Sequence, residues 1–465
     1  DPVTGFGIPT DLAGNITSST VPFSGNVHEH FSTEDTFFDR EAITITGKIT
    51  HELDNGMELV SITNYMDMDK FYLEDGGAGL FFFPFITEVS FSQWSEELRL
   101  SGETDRVRWQ VGGYYLNINS NNGFTVGGIA ITGSPQGLIT NETNLDSRNW
   151  SVFGQIEYDL TDQFTAIVGL RWSQDDKEVR FENTSFNMED QGIASGSVLF
   201  NYTQAIAGTA FEGDDEIDYG DFAARAQLNY TPSDRTLWFE SWNRGIKGGN
   251  WTANPDVVAT GIGNIQHKEE VLNSFEIGFK TEFQELNARL NATAFYYDYK
   301  DYQVYSLTAL VPQTQNSDAE AKGGEIELYM SPVAGVDIIL GASFIDSEID
   351  EVIDVFGGTI SGNEFPNAPS FSFNWLGRYA WSAFSGEMAV QIDGKYNDDQ
   401  YLESTNAVVM LEESYSVWNS SLSFTTNDEK WKATLFVKNM FDKEYRLFNL
   451  DLGALDVFIG PGNGF

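Results

Sequence analysis

Few residues in this sequence have the types and spacing that site chemistry requires. His28-Glu29-His30 puts two imidazoles on one face of a strand, a spacing that could hold a metal ion. A lone His-x-His in a polar stretch is more often no site at all, and the remaining histidines, His51 and His267, stand far apart. Asp214, Asp215 and Glu216, with Asp218 and Asp221 beyond, form an acidic run at an expected loop–strand border. Oxygen ligands of this kind suit calcium, but the EF-hand-like spacing is missing. Trp251 follows Asn250 and the Gly248-Gly249 bend; its ring could stack on a sugar or aromatic ligand, or simply pack its loop. Phe81, Phe82, Phe83 and Phe85 make an apolar loop tip that either grips a hydrophobic ligand or folds over its neighbours.

The reaction motifs are missing. There is no phosphate-cradling glycine loop, no His-Glu-x-x-His and no Gly-x-Ser-x-Gly. Catalytic residues, a committed metal site and a cofactor are therefore not expected, and the chain does not read as an enzyme.

Composition narrows the setting. The 465 residues carry a net charge of −44, which makes nucleic acid a poor partner. That charge suits either plain solubility in acidic loops or attraction of cationic and metal-bearing ligands. Cysteine is absent, so no disulfide framework or thiolate site exists. Gly (44), Phe (36) and Tyr (19) are plentiful and Pro is sparse (12), a mix suited to many strands joined by tight turns. No apolar run approaches the length of a spanning helix, and this leaves strand-built membrane proteins open.

The dominant pattern is period-two alternation in paired runs of about ten residues. Val152, Gly154, Ile156, Tyr158 and Leu160 fall on one face, and Phe153, Gln155, Glu157 and Asp159 on the other. Phe164, Ala166, Val168, Leu170 and Trp172 repeat the apolar face after a Thr161-Asp162 turn. Similar ribbons recur around Leu98, Val107, Phe275, Leu286, Ile326 and Trp431. Short turns alternate with long polar segments at roughly 70–90, 119–147, 175–217, 246–270, 306–320, 347–368 and 397–412. Short turns on one rim and long loops on the other predict an all-β, transmembrane, antiparallel up-and-down barrel, with about 17 or 18 strands visible. Aromatic residues near strand ends suit lipid–water boundaries: Tyr114, Tyr115, Tyr158, Trp172, Trp238, Trp242, Tyr296, Tyr297, Tyr299, Tyr379, Trp381 and Tyr445.

Several stretches resemble one family. Glu97-Leu-Arg-Leu-Ser-Gly102, Phe153-Gly-Gln-Ile-Glu-Tyr158 and Trp242-Asn-Arg-Gly-Ile-Lys-Gly-Gly-Asn250 resemble, in order, strands of the TonB-dependent outer-membrane receptors. Asn273-Ser-Phe-Glu-Ile-Gly-Phe-Lys280, Ala294-Phe-Tyr-Tyr-Asp-Tyr299, Lys322-Gly-Gly-Glu-Ile-Glu327 and Val437-Lys-Asn-Met-Phe-Asp-Lys-Glu-Tyr445 continue the series. The resemblance implies the C-terminal barrel portion of such a receptor, whose family barrel has 22 strands around an N-terminal plug. On that basis residues 1–40 are expected to be a polar or irregular segment and 41–465 the barrel wall. Plug, TonB-binding box and terminal strands are expected to lie outside the sequence in hand, because Gly460-Pro-Gly-Asn-Gly-Phe465 stops where a closing strand should begin.

The function implied is TonB-dependent active uptake of a scarce bulky nutrient across the bacterial outer membrane. A ferric siderophore is the leading cargo; an oligosaccharide or another organic ligand follows, and haem is disfavoured by the absence of its receptor signatures. A passive porin or surface adhesive barrel is the alternative, and a soluble β-propeller needs a repeat that is not seen. Implied partners are outer-membrane lipid and lipopolysaccharide, the plug, TonB and a small ligand such as a metal chelate. The inward polar residues expected to hold the plug and hydrate the path are Arg99, Arg108, Arg171, Arg225, Arg289, Glu157, Glu325 and Glu327.

Overall fold

The computed structural model of the chain describes residues 36–75, 84–127, 137–187, 211–252, 262–308, 311–354 and 357–448. The first strands are β1 (Phe37–Glu52), β2 (Glu58–Asp75), β3 (Pro84–Glu103), β4 (Val107–Gly127), β5 (Gly137–Asp159), β6 (Phe164–Asn187), β7 (Phe211–Ser233) and β8 (Thr236–Lys247). Then come β9 (Asn250–Trp251), β10 (Gln266–His267), β11 (Glu270–Phe283), β12 (Ala288–Thr308), β13 (Val311–Met330), β14 (Val336–Ile349), β15 (Val352–Ile353) and β16 (Thr359–Ile360). The last are β17 (Phe371–Ala383), β18 (Gly386–Asn397), β19 (Gln400–Tyr401), β20 (Leu411–Glu412), β21 (Tyr415–Thr426) and β22 (Lys432–Val437).

Sixteen of these strands form one antiparallel sheet in which each pairs with its neighbours along the chain, from β1 to β22. The six shortest pair off as β9–β10, β15–β16 and β19–β20, outside the main sheet. No helix among the described residues is long and apolar enough to cross a membrane.

Burial is turned inside out relative to a water-soluble sheet. Leu170 is 60% exposed, Ile277 56% and Val152 55%, and all three lie on the outer face of the wall. Because side chains alternate across a strand, the opposite face carries Arg171, Glu276 and Gln155. A continuous apolar face of this extent requires lipid rather than water. Outer-membrane strands meet both conditions at once, since backbone groups are satisfied strand to strand and side chains are sorted by face.

Three expectations are refined. First, several of the long polar segments begin and end as strand among the described residues. The β4–β5 ladder runs past Asn117↔Arg148 and Asn121↔Asn144 up to Gly127↔Leu138, and β6–β7 pairs from Phe164↔Tyr230 to Asn183↔Phe211. Beyond the apolar belt both faces meet water, so the strand continues while the alternation stops. Second, sixteen wall strands lie among the described residues, the first of them beginning at Phe37. Third, neighbouring aromatics cannot share a face. Tyr115 and Tyr296 are exposed on the outer face, whereas Tyr297 points inward and donates from its hydroxyl to Glu276 Oε1 at 3.2 Å. Tyr299 packs against Tyr302 and Phe365, and Tyr445 stacks on Tyr415 at 4.5 Å between centroids.

Candidate functional site: the lumen face and its mouth

The lumen face is a lattice of paired polar groups. Arg108 on β4 grips Asp159 of β5 with both terminal nitrogens at 2.9 Å, and its Nε donates to Glu157 at 3.2 Å. This bidentate geometry is the strong form of a guanidinium–carboxylate contact. Arg99 lies 3.4 Å from Glu97. Arg171 sits 5.4 Å from the Tyr114 ring centre and 5.6 Å from that of Phe153, and its Nε donates to Ser173. Arg225 bonds Gln227, which in turn donates to Asn229 at 2.6 Å. Arg289 lies over the Tyr329 ring, Glu327 accepts from Asn291 at 3.2 Å, and Glu325 stands between Thr293 and Ser343 in register. All eight expected lumen residues thus share the polar face. They are spread around the wall and do not converge on a point.

Above the belt, the connection from β8 to β11 folds inward as a strap. Its β9–β10 pair places Trp251 opposite Gln266 and Asn250 opposite His267. Gly249 is required there, because a Cβ would stand 2.7 Å from the His267 carbonyl oxygen. On one side the strap is tied to β6 and β7. Lys177 donates to the Gly249 carbonyl at 2.7 Å, and Trp251 Nε1 donates to Asp215 at 2.9 Å. On the other side it is tied to β12 and β13. Gln303 donates to the carbonyls of Gly248 and Lys268, both at 2.9 Å, and the Lys268 amide donates to Asn316 at 2.7 Å.

Trp251 is 9% exposed and packs with Val179, Phe181 and Ile265. Its ring face is covered by protein and its N–H is taken, which is the arrangement of a loop strut rather than an open stacking platform. The neighbouring Tyr219 hydroxyl donates to Asp175 at 2.5 Å; burial and that carboxylate push its pKa up. Burial pushes the Lys177 ammonium down. His267, 8% exposed and with no partner for Nδ1, is pushed down to about 4, first by burial and then by the charges of Lys247 and Lys177. None of these groups stood out in the sequence except His267 as one of four histidines. Their signal was the alternation of Asp175, Lys177 and Val179 on one face of a ribbon that had been read as a loop.

Asp214, Asp215 and Glu216 lie within β7, not at a strand border, and alternation sends them to different faces. Asp215 holds Trp251, while Asp214 lies opposite Arg180 and Glu216 opposite Glu178. All three contribute to a hollow of about 730 Å³ together with Asp67, Asn119, Asp146 and Arg180. Among the described residues no three potential metal ligands converge. Phe81, Phe82, Phe83, His28 and His30 lie outside the described residues.

Comparisons with known proteins fit this geometry. The chain is 22% identical to the pesticin receptor of Yersinia pestis over 311 residues, 65% of this chain and 40% of that protein. It superposes on the ferric yersiniabactin uptake receptor of Yersinia pestis with a TM-score of 0.71 at 17% identity, covering 90% of this chain and 58% of that one. It also superposes on the ferric-catecholate import receptor of E. coli K12 in its closed form, with a TM-score of 0.67 at 16% identity, covering 97% and 66%. The chain therefore spans about two fifths of the length of the curated relatives it matches. Residues 2–440 match the family described as TonB dependent receptor-like, beta-barrel, and the chain belongs to that family of bacterial outer-membrane proteins.

Proposed function

We propose that this wall belongs to a receptor that takes up a ferric siderophore across the outer membrane with energy delivered by TonB. The observation that carries the reading is the charge-paired lumen face beneath a mouth where the β8–β11 strap is tied to the neighbouring strands on either side of it, β6 and β7 and β12 and β13. A charged inner face needs water or a polar partner, since unpaired buried charge is costly. In this reading Arg99, Arg108, Arg171, Arg225, Arg289, Glu157, Glu325 and Glu327 contact the plug and hydrate the path. Among the described residues, β1 and β22 are the two edges of the sheet, and both are exposed along their length. The receiving surface is the mouth around Asn250, which Asp215 faces through its bond to Trp251, with Trp251 holding the strap in place; Asp214 and Glu216 stand on the other face of β7 and border the acidic hollow there. The similar receptors for ferric yersiniabactin and ferric catecholates support a metal-chelate cargo.

The test is uptake by whole cells expressing the full-length receptor, using a panel of radiolabelled ferric chelates and glycans, with and without TonB. Energy-dependent accumulation of one ferric chelate that disappears without TonB is expected. Accumulation of a glycan alone moves the cargo to oligosaccharides. Uptake that persists without TonB contradicts the reading and favours a passive pore.

A further inference from the structure

The outer face of the wall is not uniformly smooth. On β17, β18 and β21, Phe373, Trp375, Gly377, Ile392 and Trp418 line an apolar groove of about 400 Å³. All five share the parity of exposed Tyr379 and Leu422, so the groove opens on the outer face; Asn374, Arg378, Asp393 and Asn419 take the inner one. Two glycines create it. Gly394 lets the Trp375 ring lie against the strand, because a Cβ there would stand 2.5 Å from that ring. Gly377 leaves the notch itself, since a Cβ there would meet nothing within 4 Å. Trp375 and Trp418, with centroids 4.5 Å apart, wall one side, and Phe373 stacks on Trp375 at 5.5 Å. The Trp375 indole N–H is buried and finds no acceptor in the protein.

The groove is continuous with the belt that faces lipid. It also lies toward the mouth, since Trp375 is four residues from the Phe371 end of β17 and eight from the turn end at Ala383. A hydrocarbon chain is the occupant available at that place, and filling the notch restores dispersion contacts that an empty groove lacks. We infer that the groove between Gly377 and Trp418 is a fixed seat for one acyl chain of an outer-leaflet lipopolysaccharide molecule. It differs from the surrounding annular contacts in being shaped, with aromatic rings from β17 and β21 walling it across Ile392 of β18.

The test uses the full-length receptor, purified in detergent and titrated with lipopolysaccharide, with retained lipid counted by native mass spectrometry. A Cβ at Gly377 meets nothing within 4 Å, so Gly377→Leu sends its bulk into the notch, and Ala294→Leu adds the same bulk to the outer face of β12, away from the groove. Gly377→Leu is expected to cut the retained lipopolysaccharide at least fivefold, while Ala294→Leu leaves it unchanged. In the wild-type protein the ¹⁵N-labelled indole signal of Trp375, assigned through Trp375→Phe, shifts on titration. Equal retention by wild type and Gly377→Leu overturns the proposal, as does an equal loss in both variants or preferential retention of phospholipid. Heat-modifiable migration on gels reports that each variant is folded.

Discussion

At the scale of single residues, the mouth depends on a few side chains that leave the wall to hold the strap. Trp251 is one. Trp251→Phe keeps the ring but removes the N–H, leaving the Asp215 carboxylate without that donor; a local loss of about 1.5–3 kcal/mol follows from the charge-assisted bond. Trp251→Ala also empties the cluster with Val179 and Phe181, raising the loss to about 3 kcal/mol or more. Hydrogen exchange of residues 262–270 measures both, with Ala faster than Phe and Phe faster than wild type. His267 adds a pH dependence. Its folded pKa of about 4 lies below the ordinary 6.5, so the unfolded imidazole takes up a proton that the folded one refuses. The contribution is complete above pH 6.5 and is lost progressively as pH falls toward 4. Exchange in the strap is expected to rise over that window, and His267→Gln to flatten the rise. Sequence reading found Trp251 by its place after two glycines but left its role open, because burial of a ring depends on partners from β6 and β7 that no local pattern reveals.

At the scale of elements, strand content and strand boundaries were unequally legible. Where lipid meets one face, as along Val152–Leu160, alternation marks the strand. Where water meets both faces, as along Asn117–Gly127, the backbone ladder continues with no hydrophobic signal, and the extensions pass for loops. The same logic exposes a conflict on β8. Glu240 lies on the outer face, in register with Leu228 and Ile277 and between Trp238 and Trp242. Glu96 on β3 shares the outer face but accepts hydrogen bonds from Ser61 at 2.8 Å and from Thr63. Glu240 has no such neighbour among the residues opposite it in register. A carboxylate on the lipid face is destabilising, so Glu240→Leu is expected to stabilise the protein by about 1 kcal/mol in a bilayer. Reversible unfolding in lipid vesicles measures this; a variant less stable than wild type shows that Glu240 meets a polar partner in the membrane. A bulge on β12 is a further feature that pattern reading could not place. The register shifts between Tyr299 and Tyr302, Asp301 adopts φ 53, and Asp318 accepts its amide at 3.1 Å. The bulge turns Tyr302 onto Phe365, where the rings stack at 5.1 Å, and so fastens the β14–β17 connection to the wall.

At the scale of the whole molecule, one sorting rule accounts for fold, location and proposed function together. Apolar side chains go outward to lipid and polar ones inward to the lumen, with Glu96 and Glu240 as exceptions on the outer face, and the ribbons lose the distinction where they rise into water. The charge of −44 belongs to this picture, since many acids stand on the extensions beyond the belt, among them Asp67, Asp146, Glu178, Asp214 and Glu216. Cysteine is absent from these 465 residues, which makes the rule directly measurable, because a thiol introduced here is unique among them. Single cysteines placed in turn along Ile167–Trp172 and Ser151–Tyr158 can carry a nitroxide label in lipid vesicles, and its collision rates with oxygen and with a water-soluble nickel chelate can be read by electron paramagnetic resonance. The account predicts a period of two: high oxygen and low nickel access at Val152, Ile156, Val168 and Leu170, and the reverse at Gln155, Glu157, Gly169 and Arg171. Uniform nickel access along both strands, or protection of the apolar positions from oxygen and nickel alike, would contradict it.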